Sequence, residues 1–484
     1  MMKRTVVFSA QRQSYLRNSW YVLAATALLC LPVFFVPLGN MDELWNYNFA
    51  RCVVNGLDLY TEVNILQTPL SVYLAAPFVA MFGGGLLAFR VASYVLLVCL
   101  VCLSFSLARR MTGSISLSVI ISVFVYALLA PGFYYHYNAV SLCCLLLIIL
   151  LRWQKPLTPV WGMVMGVLFG LLPLIKQSTG LALLAVCWLD CIIGLWRGHR
   201  RSYYLWCGCV SLIPGAVFAA WLWCSGRFAA FWDYAVLGIA DFSHRITWKD
   251  FALSDPVSFL LVAVVVCLMG YVAVSIVRRK WFFEKQGLFF AMSIAWLLSV
   301  TYPLADRAHY VVGVIPLLLI FFMVVDIPAI TSAQTVLLYS LSAFLAALTV
   351  VMGLRLDGNN QWSHTRHYEG VPINLKLEER ITEVDAYIEV SQHPVRIADA
   401  YACLYHIPLD AYYADWDMLL KGNLGTKTVE ELLDLPDDTL LLVPKYMESV
   451  NYQSHFALLN YIKEHYNCVD EVLDFEVYQK NESS

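Results

Sequence analysis

The chain has 484 residues, of which 60% are hydrophobic and 14% charged, with a formal net charge of −3 and a mean hydropathy of +0.65. Soluble domains carry about 25% charged residues, so a soluble globular protein is excluded and an integral membrane protein is indicated. Nucleic acid is excluded as a partner, because a phosphate polymer is bound by a concentrated basic face and none is present.

Residues 1–19 carry Lys3, Arg4, Arg12 and Arg17 and precede an apolar run at 20–38. A secretory signal would end in a small-residue cleavage site, and Phe34-Phe35-Val36-Pro37-Leu38 offers none, so this run is expected to be a retained first helix. Apolar runs at 89–107, 114–130, 139–151, 160–175, 179–195, 203–224, 256–277, 289–304, 310–325 and 336–354 follow, giving eleven expected transmembrane helices. Alternate loops hold the basic residues: Arg109 and Arg110, Arg152 and Lys155, Arg197, Arg200 and Arg201, then Arg278, Arg279 and Lys280. The positive-inside rule assigns these loops and the N-terminus to the cytoplasm. A further apolar stretch at 70–81 is short, and counting it as a crossing would put all the later arginines outside. It is therefore read as lying along the outer surface or dipping in without crossing. Most of the cysteines (Cys99, Cys102, Cys143, Cys144, Cys187, Cys191, Cys207, Cys209 and Cys267) fall inside apolar runs as small packing residues without zinc-type pairing.

From about residue 357 the composition becomes that of a soluble domain. Residues 395–398 and 439–444 read as buried strands, 456–466 as an amphipathic helix and 472–478 as a closing strand. Cys403 and Cys468 lie in this tail, either bridged or as free thiols. Tyr401, Tyr405, Tyr412, Tyr413 and Trp416 suit sugar stacking, but such spacing more often marks a core, and core is the expectation here. The expected organisation is a cytoplasmic N-terminus (1–19), a transmembrane helical bundle (20–356) whose first external loop (39–88) carries surface helices, and a small external α/β domain (357–484).

Polar residues gather on one predicted side. The first external loop gives Asp42, Glu43, Asn46, Tyr47, Arg51, Glu62, Gln67 and Thr68. Later edges add His136, Tyr137 and Asn138; Lys176 and Gln177; Trp232, Asp233, His244, Arg245, Trp248 and Lys249; and Asp306, Arg307, His309 and Tyr310. Residues 41–54 have helical spacing, with Glu43, Tyr47 and Arg51 on one face and Asn55-Gly56 as a stop. Asp42 reads equally as the N-cap of this helix or as a functional acid, and Arg51 as a ligand or an interface anchor. Lys176 opposes the charge bias of the loops, which makes it a functional candidate beside the alternative of a snorkelling lysine. Asp306 to Tyr310 reads as a neutralised surface turn on the same side as Asp42.

Several of these features together resemble a known family. A first helix, an Asp-Glu pair opening a second helix, Thr68-Pro69-Leu70 with Tyr73, then Phe82-Gly83 and Phe89-Arg90-Val91-Ala92-Ser93 are similar to the GT-C superfamily of polytopic glycosyltransferases. That superfamily includes protein O-mannosyltransferases and bacterial aminoarabinose transferases, which use polyprenyl-phosphate sugars. The resemblance is best over residues 20–110 and continues through Lys176-Gln177 and Arg307-Ala308-His309-Tyr310. It implies a membrane all-α fold and an inverting transfer of a sugar from a polyprenyl-phosphate carrier to a hydroxyl of a cell-surface glycan, lipid or protein. It implies Asp42 as general base, Glu43 as its reserve or orienting partner, and Tyr47, Arg51, Arg90, Lys176, Gln177, Arg307, His309 and Tyr310 around the substrates. Members often carry Lys-Pro-Pro or His-Pro-Pro where this chain has Gln67-Thr68-Pro69, which moves the expected phosphate contact to Lys176, Arg90 or Arg307. No cofactor and no metal dependence are expected, since no Asp-x-Asp or glycine-rich nucleotide loop is present. The alternatives are a polyprenyl-linked sugar transporter, which would show matching halves, or a ligase using a polyprenyl-diphosphate donor.

Overall fold

The computed structural model describes residues 20–198, 200–238, 246–302, 304–325, 332–354, 360–405, 416, 419, 424–445 and 455–481. Among them the dominant elements are helices. Seven are long and apolar enough to cross a bilayer: Leu86–Thr112, Tyr137–Gln154, Gln177–Trp196, Arg201–Cys224, Pro256–Arg278, Arg307–Val324 and a window at Gln334–Val351. Five shorter apolar helices accompany them: Trp20–Phe35, Leu70–Met81, Ile115–Leu129, Pro159–Ile175 and Lys285–Val300. The chain is a multi-pass membrane protein. His244, Arg245, Tyr412, Tyr413 and the expected domain boundary at 357 lie outside the described residues.

Close packing in the bundle is set by small residues, because within lipid the attraction between helices comes largely from close van der Waals approach. Gly162, Gly166 and Gly170 recur at four-residue intervals along one stripe of the Pro159–Ile175 helix. A Cβ on each would fall 2.4 Å from Tyr203 O, 2.7 Å from Cys207 O and 2.4 Å from Ser211 O. The helix therefore lies backbone to backbone on Arg201–Val210. At its other end a Cβ on Gly180 would meet Pro173 N at 2.1 Å, so Gln177–Trp196 folds back against Pro159–Ile175 through the single extended residue Lys176 (φ −148°, ψ 118°). Close backbone approach on both sides leaves the Lys176 side chain at the apex of a tight hairpin.

The Leu70–Met81 helix returns to the edge it started from. Thr68 Oγ1 before it donates to Pro173 O (2.8 Å) beside that apex. After it, Gly84 O accepts from Tyr47 (2.8 Å) and Leu86 N donates to His367 O. Both ends thus lie on the edge that meets the C-terminal region, as the loop charges required.

The C-terminal region holds a four-stranded sheet of order β3-β4-β6-β5 (β3 Val395–Ile397, β4 Leu440–Pro444, β5 Asn467–Val472, β6 Phe475–Gln479), and a short hairpin of β1 (Asn360–Trp362) with β2 (Pro372–Asn374). β3 and β4 are parallel, and β6 is antiparallel to β4 and β5. The expected helix at 456–466 is Phe456–His465. Tyr405 and Trp416 are buried, as expected of core residues. Cys403 and Cys468 are free thiols. This region is fastened to the membrane edge by Trp45 Nε1 to Ala400 O (3.1 Å), Leu38 N to Pro372 O (2.7 Å) and Thr426 to Asp233 Oδ1. Val371, Ile373 and Ile381 belong to the same apolar core as Phe89 and Leu97 of the bundle.

Replacing Gly170 by Val forces a side chain into Ser211 O and Pro214, where overpacking costs about 1–3 kcal/mol. The expected outcome is a lower Tm for the detergent-purified protein in a thermal-shift assay. Gly215→Val, with nothing within 4 Å of its Cβ, serves as the silent control.

Candidate active site

The Met41–Val54 helix is capped by Asn40, whose side chain accepts from the N–H groups of Asp42 (3.0 Å) and Glu43 (3.3 Å). The reading of Asp42 as N-cap is therefore corrected: Asn40 has the correct extended backbone and an amide oxygen for the role. The Asp42 carboxylate is instead turned outward from the cap and accepts from Tyr134 Oη (2.9 Å). Desolvation raises its pKa, with the Tyr134 hydrogen bond and the nearby charge of His309 opposing and Asp306 adding to the rise.

Glu43, one position on, stands in a different environment. Its two oxygens are held by Arg90 Nε and Nη2 at 2.9 Å each, with both side chains buried. The third arm of Arg90, Nη1, donates to Phe34 O and Val36 O. The fork is saturated, so neither Glu43 as reserve base nor Arg90 as phosphate ligand has a free functional atom. Both hold the scaffold.

Around Asp42 the ends of three other helices converge. The Tyr137–Gln154 helix opens with His136, whose Nδ1 accepts from Asn138 N (3.2 Å), leaving the ring proton on Nε2. Burial, followed by the charges of His309 and Lys176, holds this imidazole well below its ordinary value, so it is neutral. Lys176 donates to Asn138 Oδ1 (2.9 Å) and sits over the Tyr137 ring at 5.2 Å. Burial lowers its pKa to about 7, against the pull of Asp306. No carboxylate among the described residues lies within ion-pair distance of its ammonium, and one of its three donors is used, so two remain for an anion. Asp306 caps the Arg307–Val324 helix and holds His309 through both its backbone N–H and its Nδ1 (2.9 Å each). Asp42 is influenced by the charges of His309 and Asp306, Lys176 by that of Asp306, and His136 by those of His309 and Lys176, which makes these five residues one linked electrostatic cluster.

The other sequence candidates serve as supports. Tyr47 donates to Gly84 O. Arg51 holds Asn48 Oδ1 (3.0 Å) and lies 3.3 Å from His367 Nε2, which makes it a buried strut to the C-terminal region and corrects the snorkelling alternative. Gln177 Nε2 donates to Leu66 O and Ala235 O. Arg307 is largely exposed and paired with Asp255 at 2.9 Å. Tyr310 is stacked on Phe251 and Trp248. Of the participants, His136, Asn138 and Asp306 figured in the sequence reading only among the outer polar residues, and Tyr134 did not figure there at all; its signal was the Tyr-Tyr-His-Tyr-Asn run at a helix start, just after Pro131-Gly132-Phe133.

This helical bundle, with a cluster of charged residues at one edge and a small sheet region fastened to it, has solved counterparts. ArnT from Cupriavidus metallidurans in the apo state superposes with a TM-score of 0.60 at 14% identity, covering 97% of this chain and 98% of that chain. The fold is the one seen in ArnT. The same enzyme bound to undecaprenyl phosphate gives a TM-score of 0.59 at 13% identity over the same shares. The archaeal oligosaccharyltransferase AglB from Archaeoglobus fulgidus, in complex with an inhibitory peptide and a dolichol-phosphate, aligns with a TM-score of 0.48 at 12% identity, over 96% of this chain and 74% of that chain. No family model matches the chain, and no curated protein matches it by sequence.

Breaking the buried pair leaves an uncompensated charge, which costs about 3–5 kcal/mol. Glu43→Gln or Arg90→Met alone is therefore expected to lower Tm strongly in detergent. The double variant Glu43→Leu/Arg90→Leu should recover part of that loss. Equal Tm for the single variants and the wild type would show the pair to be dispensable.

Proposed function

We propose that this chain is a GT-C glycosyltransferase that moves a sugar from a polyprenyl-phosphate carrier to an acceptor hydroxyl, with inversion, on the outer face of the membrane. The observation that carries this reading is the pairing of two desolvated groups at one membrane edge. Asp42 is a carboxylate relieved of capping and of ion pairing, and Lys176 is a cation with open donors. The GT-C fold and the undecaprenyl phosphate bound by ArnT favour a lipid-phosphate donor. The positive-inside rule, applied to the arginine loops at the opposite edge, puts this cluster and the C-terminal domain outside.

In this scheme Asp42 removes the proton from the acceptor hydroxyl as its oxygen attacks the anomeric carbon from the face opposite the phosphate. Its raised pKa brings base strength toward the working pH, which is what general-base catalysis requires. Tyr134 orients the carboxylate, leaving the second oxygen lone pairs toward the acceptor. As the carbon–oxygen bond to the carrier breaks, negative charge collects on the leaving polyprenyl phosphate. Lys176 meets it in a site of low dielectric, where a fixed cation counts for far more than in water. His136, neutral with its proton on Nε2, supplies a hydrogen-bond donor without adding repulsion toward Lys176. The Gln67-Thr68-Pro69 segment contributes no cation: Thr68 is bonded to Pro173 O and so braces the Lys176 hairpin. The reaction as written needs no metal, because a monophosphate leaving group is neutralised by a side chain. The acceptor is a hydroxyl of a cell-surface glycan, lipid or protein.

With a polyprenyl-monophosphate sugar donor in detergent, transfer is expected with and without chelator. Asp42→Asn should lower kcat by about 10²–10⁴-fold with unchanged Tm. Wild-type turnover by a folded Asp42→Asn protein would overturn the assignment, and transport of the donor without transfer would favour the transporter.

The pH profile of kcat/KM is expected to be bell-shaped. Asp42 acts ionised, so activity climbs as pH rises through a value above the ordinary carboxylate pKa of about 3.9. Lys176 acts protonated, so activity declines as pH rises through about 7. Lys176→Arg, whose guanidinium stays charged, should keep activity while carrying the falling limb to higher pH. A falling limb that stays in place would assign it to another group.

A further inference from the structure

At the membrane edge opposite Asp42, the fold assembles a cluster that the proposed transfer reaction does not use. Cys187 and Cys191 lie one turn apart on the Gln177–Trp196 helix, and Cys207 faces them from Arg201–Val210. Their three Sγ atoms all lie within 4.8 Å of one another, and those of Cys187 and Cys207 are 3.7 Å apart. All three side chains are buried, with exposures of 2%, 5% and 2%. In sequence the spacing matches no zinc motif, because the third sulfur comes from a neighbouring helix. The glycine stripe at 162, 166 and 170 fixes where that helix lies.

We propose that Cys187, Cys191 and Cys207 form a trithiolate site for a thiophilic divalent d10 cation, with zinc as its physiological representative. The geometry is appropriate. Zinc–sulfur bonds of about 2.3 Å place three sulfurs around one ion at mutual distances of about 4 Å, close to the 3.7 Å between Cys187 and Cys207 and inside the 4.8 Å within which all three lie. Binding forms three metal–sulfur bonds and releases the three thiol protons to solvent.

The surroundings favour a divalent over a monovalent ion. Arg152 reaches into this region, donating to Tyr204 Oη (3.3 Å) and lying 3.8 Å from Asp190, while its buried Nε has no hydrogen-bond partner. A divalent ion with three thiolates carries one net negative charge, which the Arg152 guanidinium opposes directly. A monovalent ion would leave one more negative charge to bury. The entry path is short. Cys207 is six residues from Arg201, about 9 Å at the helical rise of 1.5 Å per residue, so the site opens toward the arginine-rich edge. The ion would clamp Gln177–Trp196 to Arg201–Val210 at the end of the hairpin arm that carries Lys176 at its other end. Its role is structural, separate from the metal-free transfer.

The test uses the full chain in detergent, reduced and stripped with chelator, then titrated with zinc against a chromophoric chelator. One zinc per chain and a zinc-dependent rise in Tm are expected for the wild type. Cys207→Ser should lose both, and Cys267→Ser, on an exposed lipid-facing position, should keep both. Cobalt(II) added to the wild type reads the site without any variant: thiolate-to-cobalt charge-transfer absorption supports it, and absence of that absorption overturns it. Equal zinc binding by the Cys187→Ser/Cys191→Ser/Cys207→Ser variant would overturn it as well. So would a Cys187–Cys207 disulfide found by non-reducing peptide mapping of the protein as isolated.

Discussion

The bidentate Glu43–Arg90 pair joins three pieces of chain. Arg90 stands one turn into the Leu86–Thr112 helix, Glu43 lies in the first turn of Met41–Val54, and the carbonyls of Phe34 and Val36 end the first helix. All three guanidinium nitrogens are engaged, which is the condition under which a buried charge pair is tolerable. The cation is planar and five-donor, so it fixes direction as well as distance. With Glu43 locked inward, the helix has a single rotational setting, and Asp42, about 100° round from it, is delivered to the Tyr134 hydroxyl.

Two adjacent carboxylates thus acquire opposite duties from their surroundings. Glu43 faces a cation and serves as a strut. Asp42 accepts from a phenol, Tyr134, and lies within electrostatic reach of His309 and Asp306. Lys176 owes its state to packing of another kind. The hairpin made by Gly180 against Pro173 leaves room for one residue at the turn, and burial at that apex, beside Asn138 and the Tyr137 face, lowers its proton affinity. Small residues deep in the bundle therefore decide the charge of a group at its edge.

The C-terminal sheet takes part through backbone contacts. His367 O, Pro372 O and Ala400 O receive donors from Leu86, Leu38 and Trp45, and Arg51 meets His367. These contacts tie the loop after the first helix, the Met41–Val54 helix and the start of the Leu86–Thr112 helix to a single roof. Because the apolar core runs unbroken from bundle to sheet, the roof is part of the scaffold that holds Asp42 in place.

Much of the architecture was legible in the residues themselves. Apolar runs mark helices because lipid leaves a backbone no other way to satisfy its polar groups, and the arginine loops order the edges because charge is retained on one side of a bilayer. The Asp42-Glu43 pair, Lys176 and the Asp306–Tyr310 turn were recognisable as a set for the same reason: polar residues next to long apolar runs are costly unless they have a use. The division of labour within the set was not legible. Whether Asp42 or Asn40 caps the helix, whether Arg90 binds a phosphate or Glu43, and whether Arg307 faces the Asp42 cluster or Asp255 are decided by side chains from distant parts of the sequence. Tyr134 is 92 positions from Asp42, and Cys207 is 20 from Cys187. Composition and periodicity depend on neighbours along the chain and so determine helices, edges and the supply of charged groups. Partnership and protonation depend on which groups share a low-dielectric space, and only the tertiary structure brings that space into being.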